Sequence, residues 1–450
     1  MAIHSVLVAT LLAMLGSAAA RAQVDGTLDP SFAGGGATRI AFDRPGTNFR
    51  DYATALAIQP DGRLVVVGSA QETVAGSNVA VVRLNGDGAI DPSFGSGPFT
   101  FGFADNDWAT DVLVEPSGSI LVAVVRQNGS ANEYSVYRWS ATGTVEASVG
   151  LGPGTGVGPM LSLARDPTSG KVLVARNVFD GQNAAIRVVR FEQNLSLDLD
   201  YGPGGSRDIE AAGGLPTYLA DMEVMPDGRL VLAARASVPA GGQDFLIARL
   251  TSAGPPDVAF GSQGLSLIPI DLVLNGSDEP VALALDALGR ILVCGSAEEA
   301  QFSDAAAVLI RVDSNGTVDP GWNGGETLVV ANTGGTDSMN GVAVQSDGQV
   351  VVAGRVNDPS PQFFAARFGP DGAADWSFGS FGVFRQDFPG SPDLDFPFAL
   401  ALQGGRPILA GLAEWSAPDY DFGLMRLASS LIFADGFARG TTGAWSAALP

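Results

Sequence analysis

The sequence predicts an all-β chain: a seven-bladed β-propeller of four-stranded blades, closed by an N-terminal strand that completes the last blade. Three observations carry this. A turn followed by an apolar strand recurs seven times, with turn glycines at 62, 118, 170, 228, 289, 348 and 405. Their spacings are 56, 52, 58, 61, 59 and 57 residues, which is too long for a β-helix coil and suits a propeller blade. An arginine followed by an apolar residue closes a third strand in every unit, and from each of the first six the acid of the following DPSF-like loop lies eight positions on. Finally, the two ends complement each other. The N-terminal segment carries one acidic loop and one strand, whereas the last unit stops after three strands.

Each element follows in order. Segments such as ALAIQ, VLVE, MEVM and GVAVQ are first strands, small-residue-rich as crowding around an axis requires. The turn with its glycine leads into a second strand such as RLVVVGS, in the manner of a hairpin. VAVVRL is a third strand, and a short strand such as 100–103 completes the unit. The N-terminal strand is expected over 37–42. Pairing it with the final blade removes the open edge. Composition agrees: glycine is 59 of 450 residues and apolar residues are 46%, which excludes a coiled coil and argues against a disordered chain.

Residues 50–95 carry Ala57, Gln59, Asp61, Gly62, Gly68, Arg83, Leu84, Asn85, Gly88, Asp91 and Phe94. In this pattern the chain resembles the delta-60 repeat, a bacterial β-propeller repeat family. The resemblance spans nearly all of residues 23–450 and implies an exported bacterial protein; it implies no activity. Residues 146–160 depart most, because EASVGLGPGTGVGPM lacks the loop aromatic.

Residues 1–22 read as a secretory signal peptide, with an apolar stretch from Val6 to Leu15 and Ala20-Arg21-Ala22 before Gln23. The expected organisation is a signal peptide over 1–22, a propeller over 23–428 and a tail over 429–450. The tail is similar to a short DGFE-x-G…W-type sorting or attachment segment, with Ala438 and Arg439 in place of its acidic stretch; the alternative is a frayed C-terminus partly tied down by Phe433, Phe437 and Trp445. The destination is periplasmic, cell-surface or extracellular, with no membrane span once the signal is cleaved. Cleavage also removes His4, the only histidine. Triads, Cys–His pairs and His-ligated zinc are then excluded. Cys294, the single cysteine, sits in the apolar run ILVCGS and reads as a buried small hydrophobe. The net charge of −23 disfavours nucleic acid and anionic lipid.

Five acidic residues precede or open first strands: Asp51, Asp107, Asp278, Asp337 and Asp395. A ring of them at one mouth of the central channel would form a site for Ca²⁺ or for a cationic or polyhydroxyl ligand. The alternative is that each accepts backbone N–H bonds in a turn. Asp105-Asn106-Asp107 with Asp111, and the pairs Asp393/Asp395 and Asp419/Asp421, raise the same choice. The seven arginines, Arg83, Arg138, Arg190, Arg249, Arg311, Arg367 and Arg426, are expected to pair with the following loop acids. Phe32, Phe94, Tyr201, Phe260, Trp322 and Phe378 recur once per unit, as inter-blade packing more than as a sugar-stacking platform. The Gly-rich 152–158 lacks the Lys-Ser/Thr of a phosphate loop.

The function expected is that of a secreted, monomeric, non-enzymatic binding or surface-interaction protein, with a protein or glycan partner. The alternative is a carboxylate-dependent, Ca-assisted hydrolase or lyase acting on polysaccharides, since two carboxylates suffice for glycoside hydrolysis.

Overall fold

The computed structural model describes residues 24–430 apart from short internal stretches at 43–49, 74–75, 96, 103–105, 130, 155–159, 180–182, 240, 271, 301–303, 358–359, 392–393 and 417–418. The signal-peptide and tail readings, with Asp105, Asp393 and part of 152–158, lie outside the described residues.

The chain opens with β1 (Ala37–Ile40). Blade one follows as β2 (Asp51–Ile58), β3 (Leu64–Thr73), β4 (Gly76–Leu84) and β5 (Phe99–Phe101). Blade two is β6 (Asp107–Val114), β7 (Ile120–Asn128), β8 (Ala131–Trp139) and β9 (Val145–Gly154). Blade three is β10 (Leu161–Arg165), β11 (Val172–Phe179), β12 (Ala184–Phe191) and β13 (Ser206–Ile209). Blade four is β14 (Thr217–Val224), β15 (Leu230–Ser237), β16 (Gln243–Leu250) and β17 (Leu265–Ile268). Blade five is β18 (Asp278–Leu285), β19 (Ile291–Ala300), β20 (Asp304–Val312) and β21 (Leu328–Ala331). Blade six is β22 (Ser338–Val344), β23 (Val350–Asn357), β24 (Pro361–Phe368) and β25 (Val383–Gln386). Blade seven is β26 (Asp395–Gln403), β27 (Arg406–Ser416) and β28 (Asp419–Arg426), completed by β1.

Seven four-stranded antiparallel sheets result, and the order β1-β28-β27-β26 is the predicted closure. Ala37 faces Met425 and Ile40 faces Phe422 across it. Arg39 adds an ion pair to the buried Asp421 at 2.7 Å. The first strands of adjacent blades touch one another around the ring, which places them at the axis. Apolar clusters fill the spaces between blades. One joins Leu64, Val66 and Val82 of blade one to Ile408, Phe422 and Leu424 of blade seven. Cys294 is fully buried in another of these clusters.

Most innermost strands carry a bulge three residues after an acidic or hydroxyl residue at the strand entry. Register shifts fall between Ala53 and Ala55, Ala109 and Asp111, Leu219 and Asp221, Pro280 and Ala282, Met339 and Gly341, and Pro397 and Ala399. The bulge drives a carbonyl toward the second strand. A Cβ at Gly354 would lie 2.1 Å from the Ser338 oxygen, and one at Gly68 would lie 1.8 Å from that of Tyr52. At these two positions a side chain has no room, although the bulge is also accommodated opposite Val124 and Ala234.

Blade two corrects one expectation. Ser140–Gly143 form a tight turn straight into β9, so Glu146 stands in an exposed outer strand. Arg138 therefore pairs with Glu115, at the end of its own innermost strand, at 2.8 Å, not with the acid eight positions on.

Candidate functional site

The recurrent arginines make one construction six times. Nε donates to the loop acid at 2.8 Å in Arg83–Asp91, 2.5 Å in Arg190–Asp198, 2.8 Å in Arg249–Asp257 and 2.7 Å in both Arg311–Asp319 and Arg367–Asp375. Arg426 completes the set with Asp29 at 2.9 Å, across the ring closure. Each guanidinium also lies over the aromatic ring of the same loop, 4.4–4.9 Å from its centroid. In most blades a second nitrogen reaches a carbonyl of the next blade, as from Arg249 to Ser314 at 2.8 Å. Burial alone would raise the Asp91 carboxyl, but the Ser93 hydroxyl and amide and the Arg83 guanidinium outweigh it and hold it below its ordinary value. Phe32, Phe94, Tyr201, Phe260, Trp322 and Phe378 are all buried beneath these arginines. They are packing residues and offer no platform to a ligand.

The five acids read as a channel-mouth ring are placed differently. Asp51, Asp107, Asp278, Asp337 and Asp395 are each buried at the start of an innermost strand. Asp51 accepts the Phe42 amide at 2.9 Å and Asp278 the Ile270 amide at 2.9 Å. Asp337 takes those of Thr333 and Asn357, both at 2.8 Å. Asp395 takes those of Phe388 at 2.7 Å and Glu414 at 2.9 Å. Four of them thus latch the segment arriving from the preceding blade. Thr217 does the same in blade four, accepting the Ala211 amide at 2.9 Å. Among the described residues no group of three or more His, Cys, Asp or Glu side chains could hold a metal ion.

A second acidic set lies deeper, on the axial channel, whose cavity is about 240 Å³. The position after the bulge is Ala55, Ala282, Gly341 and Ala399 in blades one, five, six and seven. In blades two and four it is Asp111 and Asp221, and the equivalent residue of blade three, whose innermost strand pairs without a register shift, is Ser162. The Ser162 Oγ lies 3.4 Å from Asp111 Oδ2 and 3.3 Å from Asp221 Oδ1. Asp111 Oδ2 also accepts the Leu163 amide at 2.7 Å, and Asp221 Oδ2 the Leu283 amide at 2.9 Å. Glu223, two residues along, accepts the Leu285 amide at 3.0 Å. These side chains cap amides on the neighbouring blade's innermost strand, which would otherwise face the channel bare. Burial pushes Asp111 up to about 7, with the Asp221 charge adding to it. Burial likewise lifts Asp221 to about 6 and, with the Asp221 charge, Glu223 to about 7. The sequence reading reached Asp111 but not Ser162, Asp221 or Glu223. The available signal was the polarity of Ser162 and Asp221 at a position that four other blades fill with Ala or Gly, and of Glu223 at one where the other blades have Ala or Leu.

On the face bearing the turn glycines, the residue after each loop acid points to solvent. It is Pro30, Pro92, Leu199, Val258, Pro320 and Trp376 in the six blades that keep the loop. Trp376 is 71% exposed, and its ring meets that of Phe381, 80% exposed, edge to face at 6.4 Å. Phe381 holds φ +58°. Its counterparts, three residues beyond the buried aromatic, are Gly35, Gly97, Gly204, Gln263 and Gly325. A groove of about 480 Å³ begins at Ser380, the chain neighbour of Phe381, and is bordered by Thr27, Arg385 and Gln386; neither ring lines it.

A family profile described as a domain of unknown function (DUF5122) β-propeller matches residues 59–94, 226–260, 289–321 and 345–378. This supports a β-propeller repeat family. No curated protein matches the chain. Solved structures share the fold at low identity. Hydrazine synthase from Kuenenia stuttgartiensis is 13% identical, with 88% of this chain and 98% of that one covered and a TM-score of 0.53. An ulvan lyase, a polysaccharide lyase bound to a GlcA–Rha3S ligand, is 12% identical over 86% of this chain and 96% of that one, TM-score 0.50. Raptor from Chaetomium thermophilum is 11% identical, covering 87% of this chain and 30% of that one, TM-score 0.49. A synthase and a lyase thus share the scaffold, and function has to be argued from the site. No helix among the described residues is long and apolar enough to cross a membrane.

Proposed function

We propose that the chain is an exported, non-enzymatic binding propeller that presents its turn-glycine face to a partner outside the cytoplasm. The observation that carries this is the Trp376–Phe381 pair. Recurrent charged side chains pair with one another or with backbone, and recurrent aromatics are buried, so the chemistry that repeats maintains the ring. The exposed pair breaks the repeat and leaves apolar area in water, which marks interaction sites. Export rests on the leader pattern at 1–22 and on the delta-60 resemblance.

A second reading, carboxylate-dependent polysaccharide cleavage, is favoured by one observation. Asp111 and Glu223, raised to about 7, have the proton affinity of general acids near neutrality. Against it, the channel cavity of about 240 Å³ is below the ~300–1,000 Å³ of organic-ligand pockets, and the carboxylates are committed to amides. One experiment separates the two. Purified 23–450 is incubated with a panel of polysaccharides, and both capture and released reducing ends are measured. Binding predicts capture without release. Release that Asp221→Asn or Glu223→Gln abolishes would establish the enzyme instead.

A further inference from the structure

We propose that Trp376, Phe381 and the groove bordered by Thr27, Ser380 and Gln386 form a binding site for a neutral glycan, a reading that rests on the binding function above. The fold does not need either ring. At the Trp376 position three blades carry proline, and Leu199 and Val258 are as exposed as Trp376 at 70% and 69%. Both are smaller and non-aromatic. At Phe381 the backbone is left-handed, as it is at the counterparts Gly97, Gly204, Gln263 and Gly325, three of which are glycine. A bulky aromatic is held here against its own preference and still points into water. Such a residue is retained for what it contacts, and strain of this kind concentrates at ligand sites.

The chemistry of the patch selects the occupant. Two mutually perpendicular rings give one flat face and one edge, the arrangement on which the apolar C–H face of a pyranose stacks. Two aromatic side chains offer about 300–500 Å². That is well short of the ~800 Å² per partner of a standard protein interface, but it is matched to one or two sugar rings. The groove beside Phe381 adds hydroxyl, amide and guanidinium groups, with Ser380 and Arg385 exposed and Gln386 half-buried. Those are partners for sugar hydroxyls. Arg385 is the one cation among the described residues lining the groove, and against it the net charge of −23 repels uronate and sulfated chains at a distance, which favours a neutral glycan.

The test is affinity electrophoresis of the full 23–450 chain in native gels. The gels contain hydroxyethylcellulose, xyloglucan, galactomannan or laminarin, with polygalacturonate as the anionic comparison. Retardation is expected in at least one neutral gel and not in polygalacturonate. Trp376→Ala and Phe381→Gly should each weaken it at least tenfold. Phe381→Gly should leave the unfolding midpoint unchanged or raise it, because glycine relieves the left-handed backbone. Loss of binding with undiminished stability excludes a merely structural role. Retardation that both variants retain overturns the site, and retardation only in polygalacturonate overturns the neutral glycan. Sedimentation of the same samples separates the remaining failures. With no retardation anywhere, a wild-type dimer that Trp376→Ala dissolves would overturn the glycan and keep a binding face. No retardation and a monomer would overturn both.

Discussion

Blades five, six, seven and one, set against blades two, three and four, solve the same axial problem in two ways. In the first group the second strand carries glycine (Gly295, Gly354, Gly411 and Gly68) where the bulge carbonyl approaches, and a small residue lines the channel. In the second group the corresponding second-strand residues are Val124, Arg176 and Ala234, and the channel residues are Asp111, Ser162 and Asp221. One set relies on close backbone approach. The other relies on side chains that reach across to the neighbouring blade's amides. Inner-strand geometry is therefore not dictated by one sequence pattern, and among the described residues the carboxylates lining the channel come only from the second side, while blades one and six contribute the uncharged Thr54 and Asn340.

The largest expected effect tests the shared frame. Arg249→Ala leaves Asp257 without its buried partner and should cost about 3–5 kcal/mol by denaturant unfolding. Arg138→Ala in the divergent blade two, where the pair with Glu115 is less enclosed and no loop aromatic lies beneath, should cost about 1–3 kcal/mol. Equal losses would mean that the loop acid and aromatic add nothing.

Next comes the glycine requirement. Gly354→Ala brings a Cβ to 2.1 Å from the Ser338 oxygen and should cost about 1–3 kcal/mol through forced backbone movement. Ala234→Gly should cost only about 0.5–1 kcal/mol, for added chain freedom. If Gly354→Ala unfolds at the wild-type midpoint, the two groups do not differ in the way described.

A smaller effect is expected with pH. Asp111, Asp221 and Glu223 have folded pKa values raised to about 7, 6 and 7. Their contribution is fully present below the unfolded values near 4 and is lost as pH rises through 6 to 7. The loop acids Asp29, Asp91, Asp198, Asp257, Asp319 and Asp375 are lowered. Theirs is present above about 4 and is lost on further acidification. Stability should therefore peak near pH 4 and decline from there to about pH 7. Asp111→Asn should flatten that limb between about pH 4 and 7 and leave the acid limb unchanged, as read from unfolding midpoints across pH 3–8. The smallest effect expected is that of Ca²⁺. Because the strand-start acids are buried and four of them accept backbone amides, millimolar Ca²⁺ should leave the melting temperature of metal-free protein unchanged. A rise of several degrees would reveal a native-state site.

Much of the fold was legible because a propeller is nearly one-dimensional: each blade repeats the same local signals and touches only its neighbours. The interval of eight brings Arg249 to Asp257 within one blade, so its chemistry could be read from spacing. The failure at Arg138 was local too, since a tight turn replaced the acidic loop. The channel cluster was not legible in the same way. Asp111, Ser162 and Asp221 lie 51 and 59 residues apart, and only ring closure of the innermost strands brings them to one hydroxyl.

By itself, the sequence determined the blade number, the strand order and the closure by the N-terminal strand, because turn glycines, apolar strands and arginine–acid intervals act at short range. Tertiary structure alone decided which carboxylates became latches and which faced the axis. It also decided which aromatics were buried and which were left in water. Exposure depends on what neighbouring blades cover, and Trp376 and Phe378 differ by two positions in sequence but by almost their whole surface in the fold.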